Sequence, residues 1–115
     1  MFKNFYLKIL FVLFSILSFS QDPIKWSTSV ENISDNKFKL NTTAIIQDNW
    51  RLYSQYLEEG GALPTEFVFE DESIFESVSD VFELNPITKY DPIFKMDQSY
   101  FINKTVFTQE ITLNE

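Results

Sequence analysis

"FKLNTTAII", Phe38 to Ile46, places Phe38, Leu40, Thr42, Ala44 and Ile46 on one side of an extended chain and Lys39, Asn41, Thr43 and Ile45 on the other. A period of two over nine residues is the signature of a strand with one buried face. Polar turn clusters bracket it: "SDNK" at Ser34 to Lys37 and "QDN" at Gln47 to Asn49. Upstream, "DPIKWSTSVENIS" sets Trp26, Thr28 and Val30, with Asn32 in phase, against Ser27, Ser29 and Glu31. Downstream, "WRLYS" sets Trp50, Leu52 and Ser54 against Arg51 and Tyr53.

The pattern breaks at "QYLEEGGALP", a loop, and resumes in "TEFVFE", which predicts a strand with Phe67 and Phe69 on one face, or a fully buried short strand if Val68 also packs. "DESIFESVSDVFEL" reads as a strand pair or as a strand and an irregular turn. Helical spacing is present there too, but Ser and β-branched residues make a helix weak. "NPITKYDPIF", with two prolines, predicts a long connection, "KMDQSYFIN" a strand, and Asn103-Lys104 a tight turn. "TVFTQEITL" sets Phe107, Gln109, Ile111 and Leu113 against Val106, Thr108, Glu110 and Thr112. Six or seven short strands without a convincing helix predict an all-β chain, an immunoglobulin-like antiparallel β-sandwich.

The first twenty residues differ from the rest. Lys3 and Lys8 precede an apolar run from Ile9 to Leu17, followed by Ser18, Phe19 and Ser20. That is the layout of a signal peptide, too short to span a bilayer. Residues 1–20 are therefore expected to be removed on export, leaving one domain over residues 21–115 in the periplasm or outside the cell. Beyond residue 20 stand seven bases and seventeen acids, a net charge of −10. Such a surface repels phosphate backbones, so no nucleic-acid partner is expected. The chain has no cysteine and no histidine. Thiol chemistry, Cys/His zinc sites and histidine-based triads are excluded within it.

The remaining chemical signals are weak. The only glycines, Gly60 and Gly61, stand behind two acids and ahead of a predicted strand, without the lysine or helix of a phosphate loop. They read as structural turn residues. Carboxylate neighbours such as Glu58/Glu59 and Glu70/Asp71/Glu72 read as a solvated acidic surface. No calcium loop and no serine elbow is present, so no catalytic residue, metal or cofactor is expected. Asn32, Asn41 and Asn103 each open a glycan acceptor triplet, which matters only in a cell that glycosylates it. Trp26, Trp50, Phe67, Phe69 and Phe107 sit at strand alternation and read as core. Tyr90 and Phe94 sit in a proline-containing loop, where a ring more often covers or binds something.

Taken together, "PIKWSTSVENIS", "DNWRLYSQYLEEGGALPTEFVFE" and "YDPIFKMDQSYFINKTVFTQEITL" resemble the N-terminal periplasmic domain of the thiol:disulfide interchange protein DsbD. That family's domain is an immunoglobulin-like sandwich that passes electrons, through a cysteine pair, from a membrane-embedded domain of the same polypeptide to exported thiol proteins. In the family the cysteines lie on a hairpin beyond the strand that "TVFTQEITL" resembles. The resemblance thus implies a sandwich lacking its last strands and redox-inactive as it stands, with membrane contact only through missing C-terminal segments. A natural cysteine-free relative that kept only binding is the other reading. The resemblance places "YDPIF" at the family's cap loop, with Phe94 as the shielding ring and Tyr90 and Asp91 beside it. Ordinary packing at the sandwich end is the plain alternative for Phe94. The rival function is a non-enzymatic, periplasmic protein-binding module. A third reading is a structural sandwich that pairs through an open edge.

Overall fold

The computed structural model describes residues 22–114. The export segment expected over residues 1–20 lies outside the described residues. Seven strands form: β1 Ile24–Ser34, β2 Lys37–Ile46, β3 Leu52–Tyr53, β4 Phe75–Val78, β5 Ile87–Asp91, β6 Met96–Phe101 and β7 Lys104–Leu113. They assemble into a four-stranded sheet in the order β1-β2-β7-β4 and a three-stranded sheet in the order β3-β6-β5, with every pair antiparallel. The all-β, sandwich-like expectation holds, and no helix forms among the described residues.

The period of two in β2 becomes alternating burial at its C-terminal end, while residues 37–43 are half-buried on both faces. Ala44 and Ile46 are buried while Ile45 between them is exposed. β7 repeats the pattern with Thr105, Phe107 and Ile111. Register puts Trp26 of β1 beside Ala44, and Thr42 beside Phe107, so one face of three strands is assembled from the alternation alone. The second sheet contributes Leu52 and Phe101, and Val81 closes the core. Phe107, 1 % exposed, stands at its centre. Its ring meets Phe101 edge-on at 5.5 Å and Phe67 at 5.0 Å, with Trp26 at 6.3 Å. These offset and T-shaped geometries are the ones aromatic quadrupoles favour.

With two glycines in the chain, asparagine supplies most left-handed backbone. Asn36, Asn49, Asn85 and Asn103 all have positive φ, as asparagine tolerates better than other side chains. Asn36 turns β1 into β2. Asn103 turns β6 into β7, and so carries the chain from one sheet to the other within two residues.

Two expected elements differ. "TEFVFE" is extended but joins no ladder. Thr65 Oγ1 donates to Tyr53 O at 2.6 Å, and the segment then packs by its rings. Phe67 lies against Trp26 and Phe107, Phe69 meets Phe75 edge to face at 4.7 Å, and Val68 is exposed. The alternation was right and the hydrogen-bonded neighbour absent. "NPITKYDPIF", expected as a connection, contains β5. Pro86 sits before the strand and Pro92 after it, so neither removes a ladder bond.

Candidate functional site

The expected cap residues lie on the β5–β6 hairpin. Tyr90 and Asp91 are the last two residues of β5, paired with Asp97 and Met96, and Phe94 is in the turn. The turn is built by one side chain. Asp91 Oδ1 accepts the amides of Ile93 at 2.8 Å and Phe94 at 3.3 Å, while Asp91 O accepts that of Lys95 at 2.7 Å. Lys95 absorbs the reversal with φ 58°. Short polar side chains that bond backbone two residues on hold such turns rigid. The tip therefore presents apolar groups in a fixed frame: Tyr90 63 %, Ile93 84 % and Phe94 37 % exposed.

The two glycines serve different ends. Gly60 has φ +99° with open space around its missing side chain. Gly61 lies against Gln98, where an added Cβ would stand 2.5 Å from Nε2 and 2.7 Å from Oε1. Gln98 is fully buried, its Oε1 accepting the Ala62 amide at 2.9 Å and its Nε2 donating to Asp97 O at 2.9 Å. The Gly-Gly loop is thus the lid over a polar side chain of β6.

Sequence reasoning missed a polar node. Ser54, 1 % exposed, donates its hydroxyl to Glu83, and its Oγ accepts the Tyr56 amide at 3.0 Å. The Gln55 amide donates to the same carboxylate at 3.2 Å, and the Tyr56 hydroxyl donates to Val81 O. The signal was present: Ser54 shares a face with Leu52, and a serine in the buried phase needs a partner. The node floors an open cleft of about 520 Å³ with Asp80, Phe82, Pro86 and Ser99 on its walls. The Ser54–Glu83 pair joins the end of β3 to the segment that precedes β5. Among the described residues no three His, Cys, Asp or Glu side chains converge to hold a metal ion.

Desolvation, with Asp80 and Glu83 nearby, raises the pKa of Tyr56. A phenol whose folded pKa lies above its unfolded value near 10 stabilises the fold below that pH and loses this contribution as pH rises through the folded value. Wild-type protein is therefore expected to lose more stability between pH 9 and pH 11.5 than Tyr56→Phe. The ring is largely exposed, so the difference is small. Urea midpoints at the two pH values check it, and equal losses would contradict it.

Trp50, expected in the core, is instead 53 % exposed. It lines a groove of about 640 Å³ with Arg51, Ile87, Lys89, Tyr100 and Ile102. Arg51, the only arginine, lies 4.1 Å above the Tyr100 ring. No protein-family model, curated protein or solved structure matches the chain.

Proposed function

We propose that this chain is a protein-binding β-sandwich module without redox chemistry of its own, and that the β5–β6 hairpin is its contact surface. The observation that carries this is the tip, where three apolar side chains are held out by an aspartate-locked turn. Binding surfaces draw their affinity from a few large anchors, and anchors already fixed lose less entropy on association. A photo-cross-linking residue at position 93, in the cells that make the protein, should yield a discrete adduct that Phe94→Ala diminishes. The same group at Val68, exposed on another segment, should not. No adduct at 93, or equal adducts at both positions, overturns the reading.

A thiol:disulfide interchange scaffold of the DsbD type is the second reading. It is favoured by Phe94, the least exposed of the three tip side chains. Its ring would shield a cysteine pair supplied by residues not in this chain. Electrons would pass from a membrane domain to periplasmic thiol proteins by thiolate attack on a disulfide, and the sandwich would be of immunoglobulin type. The reading frame past Glu115 separates the two. A cysteine pair followed by membrane spans supports interchange, and a stop codon supports binding alone.

A further inference from the structure

The two sheets present four edge strands, and three are protected. β3 has two residues. β4 has four, with an irregularity between Phe75 and Ser77 and a charge at Glu76. β5 has five, held between Pro86 and Pro92. Short, bulged or proline-flanked edges resist pairing with another chain. β1 is far less guarded: one proline, Pro23, precedes its first residue, and its single irregularity lies at the far end, between Asn32 and Ser34. It runs eleven residues, its pairing with β2 is regular from Ile24 to Asn32, and no proline interrupts it. Among the described residues nothing pairs with its outer side.

The phase of that edge is defined. Gln47 N donates to Pro23 O at 2.8 Å, which turns the odd-numbered residues of β1 toward β2. The backbone groups of Ile24, Trp26, Thr28 and Val30 therefore face outward. The Ile24 amide is taken by Asp22 Oδ1 at 3.1 Å, and the next three stand open. Their side chains share the core-facing side of the sheet, yet Trp26 is 46 % and Val30 58 % exposed. The cause is length: β1 and β2 have eleven and ten residues, and no strand of the second sheet exceeds six.

We propose that β1 pairs antiparallel with β1 of a second copy, about a two-fold axis at Thr28. The sequence is self-complementary in that register. Trp26 stands opposite Val30 of the other copy, Lys25 opposite Glu31, Ser27 opposite Ser29, and Thr28 opposite itself. Symmetry doubles the first three. Each is a favourable cross-strand combination: aromatic with β-branched, opposite charges, and small polar pairs. Moving the axis to Ser27 or Ser29 places Lys25 opposite Ser29 or Ile33 and loses both the charge pair and the Trp–Val pair. The product is a closed, isologous dimer with one eight-stranded sheet, in which the half-bare inner ends of β1 cover each other.

Sedimentation of the purified full chain tests this. Wild-type protein should be a concentration-dependent dimer. Thr28→Pro should be a monomer with an unchanged β-sheet circular dichroism spectrum, because the lost amide faces outward and bonds nothing in β2. Glu31→Lys sets like charges opposite each other twice and should weaken the dimer roughly tenfold at low salt. The double exchange Lys25→Glu/Glu31→Lys should restore it. A wild-type monomer at on the order of 100 µM would overturn the proposal. So would a dimer that survives Thr28→Pro, or a double exchange no tighter than Glu31→Lys alone. Should Thr28→Pro fail to fold, the charge-exchange pair decides.

Discussion

Phe107→Ala is expected to lower the melting temperature by roughly 15–30 °C, leaving a protein that is largely unfolded at growth temperature. The ring is 1 % exposed and touches aromatic rings from β1, β6 and the 64–70 segment. Removing a fully buried phenylalanine costs about 3–5 kcal/mol, the transfer free energy plus the cavity left behind. A domain of this size holds only about 5–15 kcal/mol in total. Because Phe107 joins the two sheets, no single element can collapse into the space without separating from another. Phe82→Ala is the control. That side chain is 62 % exposed, although its backbone bridges Thr108, so its loss should cost within about 0.5 kcal/mol. Thermal denaturation followed by circular dichroism separates them. Equal losses would mean the core is centred elsewhere.

Legibility in the sequence follows the range of the forces involved. β1, β2 and β7 were readable because each has ten or eleven residues, so alternation repeats often enough to exclude a helix, even in β1, whose core-side residues stay largely exposed. "TEFVFE" carried the same alternation and was read as a strand. Alternation reports which side chains face the core, and Phe67 and Phe69 do. It says nothing of whether a neighbouring backbone lies 4.8 Å away to accept a ladder. In "NPITKYDPIF" two prolines predict a connection, whereas they mark the two ends of β5. Trp50 misled for the reverse reason. It shares the phase of Leu52 but falls in the turn before β3, where phase no longer dictates burial.

The hairpin residues show the same division. That Tyr90, Asp91 and Phe94 would lie together was written in their spacing. That Asp91 would accept two turn amides depended on the loop length between β5 and β6, which prolines alone do not set. Gln98 could not have been placed by local reasoning. The expected strand "KMDQSYFIN" carried no reading of Gln98, which is buried where a loop 36 residues earlier folds over it.

That loop yields the second large effect. Gly61→Ala should destabilise the protein by about 2–4 kcal/mol, combining overpacking with loss of a buried hydrogen bond. The new methyl would sit within 2.8 Å of three atoms of the Gln98 amide. The buried side chain has no vacant volume to enter, and displacing it also releases the Ala62 amide. Gly60→Ala should cost about 1–2 kcal/mol for a different reason, the strain of a left-handed backbone on an L side chain. The two causes separate in a Gln98→Ala background, where the obstructing amide is gone. There the Gly61→Ala penalty should shrink by about 2 kcal/mol, while the Gly60→Ala penalty stays as it was. Urea denaturation of the four glycine variants, each against its own background protein, measures both couplings. An undiminished Gly61→Ala penalty without Gln98 would show that the second glycine serves its own backbone and not the buried amide beneath it. The adjacent pair would then have one cause instead of two.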